Sequence, residues 1–356
     1  MRSAVQALKA NSAIEVSPPA GDAEKAGLEY VSDEEPGIRR QKHGKGLVYL
    51  DGKGRRVRDP YAMARIRSLA IPPAWTDVWI CASERGHLQA TGRDARGRKQ
   101  YRYHPDFIAI RDSAKYERLV AFAKSLPALR AAIAGQMALP GLPREKVLAT
   151  IVHLLDNTLI RIGNDSYARE NDSYGITTLR DSHVTIDGGA LRFQFKGKSG
   201  KTWRLTLRDR RIARIVRSCQ ELPGQNLFQY LDDSGDVLRV TSTDVNEHLR
   251  ALSGREVTAK DFRTWAGTVL TANLLHEAGT PDNATAAKRQ IRAALHQVAA
   301  RLGNTVAICR KCYVHPSVLE AYAEGALRLR RIAAKDGALR PEEAATLRFL
   351  QRRLKA

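Results

Sequence analysis

The chain has 356 residues, 43% of them apolar, and sets 59 Lys and Arg against 38 Asp and Glu, a formal charge of 59 − 38 = +21. That apolar share supports packed cores and excludes a wholly disordered protein, while the length exceeds what one core usually serves, so two domains are expected. So large a cationic excess asks for a polyanionic partner, with nucleic acid ahead of a ribosome or an anionic membrane, and no run of about 18 apolar residues exists to span a bilayer.

Residues 1 to about 36 mix Ala, Ser, Pro and acids, ending in Asp33, Glu34 and Glu35 before Pro36, and read as a flexible leader. Met1 to Ala10 contains Arg2 and Lys9 and is not a secretory h-region. Short apolar runs at 46–50 and 78–83, rich in β-branched and aromatic residues, predict strands. Between them lie the turn residues Asp51 to Gly54 and the pair Asp59-Pro60, a cap and first position for a short helix. A basic turn from Gly92 to Gly97 precedes Gln100-Tyr-Arg-Tyr103, so 37–104 reads as a small β-rich N-terminal domain.

Helical spacing then takes over at 109–137 and 144–162. Strand patterns follow at 175–179, 184–186, 191–195 and 202–206, and helices resume at 209–222, 243–252, 259–277, 281–302 and 316–334. Residues 105–335 therefore predict a mostly helical domain holding a small antiparallel sheet. Within 336–356 an amphipathic helix runs from Pro341 to Leu354. The fold class is α+β.

Of the four cysteines, Cys81, Cys219, Cys309 and Cys312, only the last two are close, and a lone C-x-x-C is a poor zinc site. Reduced thiols in a cytoplasmic, DNA-containing compartment are the plain reading. The carboxylates are scattered, Asp232 and Asp233 adjoining a turn at Gly235, so no metal site is expected. Gly197-Lys-Ser199 has the look of a phosphate loop, but Arg192 stands where that motif needs glycine and strands flank it on both sides, so no nucleotide site is expected.

The chemistry-bearing residues are Arg161, Lys198, Arg263, Asn304 and Tyr313. Taken singly each has an ordinary role: a core tyrosine, surface ion pairs, a guanidinium packed between Phe262 and Trp265, an asparagine at a helix end. Together they answer the demands of metal-free attack on a phosphodiester. Guanidinium forks suit the non-bridging oxygens, and the attack further needs an activated nucleophile and a proton for the leaving oxygen.

In that order and spacing the residues resemble the type IB DNA topoisomerases, specifically their small poxvirus-like bacterial branch. The likeness runs over residues 37–330 and rests on the 37-residue interval from Arg161 to Lys198 and the nine-residue interval from Asn304 to Tyr313. It also rests on Gly-Arg-Asp-x-x-Gly-x-x-Gln-Tyr (Gly92 to Tyr101), Phe-x-Gly-Lys and Lys-Asp-x-Arg-Thr. The resemblance implies a catalytic domain like that of tyrosine recombinases and type IB topoisomerases. Tyr313 would then be the nucleophile of a 3′-phosphotyrosyl bond, Arg161 and Arg263 the phosphate clamps, and Lys198 the general acid for the 5′-oxygen, assisted by Arg161. Asn304 stands where many relatives carry histidine; it donates a hydrogen bond but cannot titrate.

The same resemblance implies DNA contacts by Arg98, Gln100, Tyr101 and Tyr103 and by Tyr167, where Asn164 and Ser166 replace the lysines of poxvirus relatives. It further implies a monomeric, C-shaped, nucleoid-associated clamp on double-stranded DNA, joined near 104–106 and needing neither ATP nor metal. A tyrosine recombinase is the runner-up, but Lys260 occupies the place of its usual histidine, three residues before Arg263. A catalytically silent DNA-binding protein is a third reading. His315 is expected to be structural, and Cys309 and Cys312 to line a helix face.

Overall fold

The computed structural model describes residues 19–354 except 45, 96, 233, 331, 332 and 334–336, and, for side chains, also excepts 19, 20, 112–115, 166, 167 and 199. The chain folds as two units, one ending at Glu117 and the other beginning at Arg118. That break falls within a long helix rather than at 104–106.

The first unit holds α1 (Pro19–Lys25), β1 (Ile38–His43), β2 (Gly46–Leu50), α2 (Pro60–Ser68), β3 (Thr76–Ile80), β4 (Leu88–Arg93), β5 (Lys99–Tyr103) and the start of α3 (Pro105–Gln136). Its strands form an antiparallel sheet of order β2-β1-β3-β4-β5. Alternation along the strands sends Ile38, Val78, Ile80 and Ala90 to one face, where Ile66 of α2 and Trp75 pack on them. Asp59 caps α2 by accepting from the Ala62 amide at 2.7 Å, with Pro60 at its first position.

The opposite face carries Trp79, Cys81 and Leu88, and Val31 packs against them. Residues 19–36, expected as part of a flexible leader, are folded, and this corrects that expectation. The Trp79 indole donates to the Glu35 carbonyl at 3.0 Å, Thr91 donates to Asp33 at 2.8 Å, and Tyr30 stacks on His87 with centroids 4.4 Å apart. An apolar sheet face needs a cover, and the segment before β1 supplies it.

In the second unit the sheet β6 (Val184–Asp187), β7 (Ala190–Lys196), β8 (Thr202–Arg208) is antiparallel. Leu191, Phe193 and Phe195 alternate inward on β7, where α6 (Arg210–Gln220) packs. Around it lie α4 (Arg144–Thr158), α5 (Asp165–Asn171), α7 (Ser242–Ser253), α8 (Ala259–Glu277), α9 (Ala284–Leu302), α10 (Val306–Tyr313), α11 (Pro316–Ala323) and α12 (Pro341–Arg353), with the ribbon β9 (Gln229–Leu231) and β10 (Val237–Arg239). The chain is thus mixed α/β, about half helical, with small antiparallel sheets. Among the described residues no helix is long and apolar enough to cross a membrane.

Three local departures from the sequence reading matter for the site. Residues 176–178, expected in a strand, form a 3-10 turn. The helix at Arg144 stops at Thr158 because Leu159 takes a left-handed conformation, φ 59°. The helix at Pro316 stops at Ala323 because Gly325 turns left-handed, φ 68°, and the Ala326 amide folds back on the Ala321 carbonyl at 2.7 Å.

Candidate active site

Arg161 reaches its place through the left-handed turn at Leu159, a strained conformation for a leucine. Its backbone is then fixed, since its carbonyl accepts from the Ile176 amide at 2.8 Å and that of Ile162 accepts from Thr177 at 2.8 Å. Gly175 is required there: a Cβ would lie 2.6 Å from the Arg161 carbonyl oxygen. From this anchor the Arg161 guanidinium donates to the Gly303 carbonyl at 3.0 Å and to Oδ1 of Asn304.

Arg263 comes from the first turns of α8, a helix opened by the Thr258–Asp261 capping box. Only 3% exposed, it donates to the carbonyls of Leu159 and Leu302, the latter at 2.6 Å. Among the described residues no carboxylate pairs with it, and its Nε has no hydrogen-bond partner. Burial, and next the nearby positive charge of Arg161, lower its pKa to about 10, which still leaves it charged at neutral pH. Its guanidinium lies 5.2 Å from the centroid of the Tyr313 ring.

Asn304 follows Gly303, the left-handed cap of α9 (φ 61°). The asparagine is 8% exposed; its Oδ1 faces Arg161, while Nδ2 is buried without a hydrogen-bond partner among the described residues. Arg263 Nε and Asn304 Nδ2 are thus two buried donors held beside one corner, Leu302 to Asn304. Orphaned donors of this kind are costly unless an acceptor is brought in, and these two beside the Arg161 guanidinium suit an anion.

Tyr313 is the last residue of α10 and is half-buried. Thr305 caps that helix, and after it the His315 amide donates to Thr268 Oγ1 at 3.1 Å. His315 itself is 2% exposed and its Nδ1 accepts from the Ser317 amide at 3.2 Å, capping α11. Cys309 is fully buried, and burial pushes its thiol up to about 11; Cys312 is half-buried. Among the described residues no group of His, Cys, Asp and Glu is arranged to hold a metal.

The structure therefore brings Arg161, Arg263, Asn304 and Tyr313 together. Lys198 sits exposed on the 3-10 turn Lys198–Gly200 between β7 and β8. Its turn is nonetheless tied to the same corner. Lys201 donates to the Asn304 carbonyl at 3.0 Å, and the Trp203 ring packs between two glycines. A Cβ on Gly197 would lie 2.7 Å from that ring, and one on Gly303 2.8 Å from it. Sequence reasoning missed Lys201, Trp203 and Gly267 of α8, where a Cβ would lie 2.5 Å from the Tyr313 carbonyl oxygen; an isolated glycine within a helical pattern was the available signal for the last.

On β5, the expected DNA-contacting strand, Tyr101 and Tyr103 share a face and stack with centroids 6.0 Å apart, 47% and 37% exposed. Arg98 and Gln100 instead both donate to Oδ2 of Asp94, at 2.9 and 3.0 Å. Tyr167 belongs to α5, but its side chain lies outside the described residues.

Comparison with known proteins matches residues 104–336 to the catalytic core of eukaryotic DNA topoisomerase I and residues 46–94 to the N-terminal domain of bacterial DNA topoisomerase IB. The C-terminal helix α12 lies beyond both regions. The chain is 36% identical to the DNA topoisomerase 1B of Acanthamoeba polyphaga mimivirus over 80% of its own length and 87% of the relative's. It is 23% identical to the DNA topoisomerase I of Monkeypox virus and 22% to the DNA topoisomerase 1B of Vaccinia virus (strain Copenhagen), each over 72% of this chain and 80% of the relative.

Proposed function

The chain belongs to the type IB DNA topoisomerase family, and on that premise we propose that it relaxes supercoiled duplex DNA through a 3′-phosphotyrosyl intermediate on Tyr313. The observation that carries this assignment is Arg263: a buried guanidinium with no carboxylate partner among the described residues, 5.2 Å from the ring of Tyr313. A cation held that way has its charge available to a phosphodiester.

In the proposed step the Tyr313 oxygen forms a bond to phosphorus and gives its proton to solvent water, while the bond from phosphorus to the 5′-oxygen breaks. Arg161 and Arg263 bind the non-bridging oxygens, and Asn304 Nδ2 adds a neutral donor. Lys198 gives its proton to the departing 5′-oxygen. One ester replaces another, so the broken strand rotates and reseals by the reverse step without ATP or metal. The catalytic fold on this reading is that shared by tyrosine recombinases and type IB topoisomerases.

Tyr101 and Tyr103, stacked and exposed on the edge strand, are proposed to meet the duplex, together with Arg98, Gln100 and Tyr167. The net charge of +21 supports backbone binding, and on this reading the protein acts as a monomer on the DNA of the cytoplasm.

A 5′-labelled suicide substrate, whose leaving strand is too short to stay paired, tests the reading. Wild-type protein is expected to trap the label covalently in EDTA, and Tyr313→Phe to bind the duplex without trapping. Covalent capture by Tyr313→Phe would refute the nucleophile assignment. Topoisomer ladders without recombinant joints are the expected plasmid products.

A further inference from the structure

Helix α12 follows the catalytic-core region and is joined to it by a buried carboxylate. Glu343, with a side chain only 5% exposed, sits in the first turn of α12, where the Arg340 amide donates to its Oε2 at 3.0 Å. Arg130 of α3 grips it with two parallel bonds, Nη1 to Oε2 at 2.7 Å and Nη2 to Oε1 at 2.8 Å. The same guanidinium grips Asp156 of α4 with a second fork, Nε to Oδ2 at 2.8 Å and Nη2 to Oδ1 at 2.9 Å. Arg340 closes the ring, donating to Asp156 at 3.4 Å and to Asn157 at 3.0 Å. Finally the Trp265 indole, 2% exposed, donates to Glu343 Oε1 at 3.3 Å.

Each end of this ring lands next to the site. Asp156 and Asn157 lie in the last turn of α4, immediately before Leu159, whose carbonyl receives Arg263, and Arg161. Trp265 is two residues from Arg263 on α8. Residues two apart on a helix point about 200° away from each other, so α8 is held from opposite sides. Arg263 is held on the site side by the Leu159 and Leu302 carbonyls, and Trp265 on the far side by Glu343. Rotation of α8 about its axis, which aims the guanidinium, is fixed by the two together.

We propose that Glu343 is a positioning residue for cleavage, acting through Trp265 and the Arg130–Asp156 fork to set the relative placement of Arg263 and Arg161. The inference rests on the proposed role of these two arginines. It makes α12 a working part of the site that acts through other residues.

The test uses the full chain with Glu343→Gln, Trp265→Phe and the double variant, with Arg263→Ala alongside. Single-turnover adduct formation at saturating protein is measured against duplex affinity by fluorescence anisotropy and against the thermal melting point. Glu343→Gln and Trp265→Phe are expected to bind duplex within about 2-fold of wild type. Both are expected to cleave on the order of 10-fold more slowly, since catalysis falls steeply with small misplacements. The double variant is expected to be no slower than the slower single one, the mark of a shared path. Wild-type cleavage rates in folded variants, or losses that follow only affinity or melting, would overturn the proposal. Should Glu343→Gln not fold, Trp265→Phe decides alone, because the ring still packs while its N–H is gone. Wild-type protein that forms no adduct, or an active Arg263→Ala, overturns the functional reading and this inference with it.

Discussion

Replacing Gly267 by alanine tests the geometry of the site without touching a charge or a proton donor. Gly267 lies one helical turn after Arg263 on α8, so both face the Tyr313 segment. A Cβ at Gly267 would stand 2.5 Å from the Tyr313 carbonyl oxygen and 3.2 Å from the Tyr313 Cβ. An ordinary contact begins at 3.4 Å, so the first approach is short by 3.4 − 2.5 = 0.9 Å. The obstructing oxygen belongs to the main chain and cannot swing aside as a side-chain tip would. The chain just beyond it is tethered by the His315 amide to Thr268, a residue of α8 itself.

Two opposing terms set the stability effect. Alanine gains about 1 kcal/mol over glycine in a helix interior, and overpacking costs about 1–3 kcal/mol. The net destabilisation is therefore roughly 0–2 kcal/mol, and the protein should fold. Displacing the phenol by close to 1 Å, however, is of the order that costs about 10²-fold in rate, or about 2.7 kcal/mol of barrier. The assay is single-turnover adduct formation, with duplex affinity and melting point as controls. Gly267→Ala is expected to bind and melt nearly as wild type while cleaving about 10²-fold more slowly. Cleavage at the wild-type rate would mean that Tyr313 does not react from the position described.

The remaining expectations follow from charge. If roughly 6–10 phosphates are contacted, duplex affinity should fall about 10³–10⁵-fold between about 50 and 200 mM salt, and a flat salt titration would contradict backbone binding. Arg263→Lys keeps the charge but lacks the fork that spans the Leu159 and Leu302 carbonyls, so adduct formation should drop by about 10²-fold or more; near-normal rates would show that the fork is dispensable. His248, buried against Gln136 at 2.9 Å, is lowered by burial from its ordinary 6.5 to about 4. The unfolded chain therefore takes up that proton first. Stability from this group is intact above about 6.5 and declines by at most about 3 kcal/mol as the pH falls toward about 4. Denaturant midpoints across that range should flatten in His248→Gln, and an unchanged slope would refute the assignment.

How far the sequence carried can be read at particular residues. Helix α8 was legible to its ends because its signals are local: Thr258 and Asp261 form a capping box and Gly279 follows the last turn. The end of α4 was not, because Leu159 turns left-handed in partnership with Arg263, 104 residues away, and no local pattern encodes that. Residues 19–36 were misjudged for a related reason. Their composition is that of a leader, and only the apolar far face of a sheet, with Trp79 on it, gives them something to cover. The resemblance to a known family singled out Arg161, Arg263, Asn304 and Tyr313, which the fold does gather. Spacing could not reveal that Trp203 wedges between Gly197 and Gly303, because that wedge is a tertiary contact across two elements.

The way Arg263 is held explains how a site of this kind stays cationic. Carboxylates would position an arginine equally well but would cancel its charge. Here the acceptors of Arg263 are the carbonyls of Leu159 and Leu302, and Arg161 rests on the carbonyl of Gly303 and Oδ1 of Asn304. Leu159 caps the C-terminus of α4, and Leu302 and Gly303 end α9. Carbonyls at helix C-termini have no partner within the helix and carry the negative end of its dipole. They therefore supply orientation and partial negative charge at once, without neutralising Arg263. Two like charges brought this close oppose each other, which is why Arg161 contributes to lowering the Arg263 pKa. An anion relieves that repulsion, and a phosphorus centre gaining negative charge in the transition state relieves it more. Asn304 turns an oxygen toward Arg161 and, unlike a protonated histidine, adds no third positive charge to the same few ångströms.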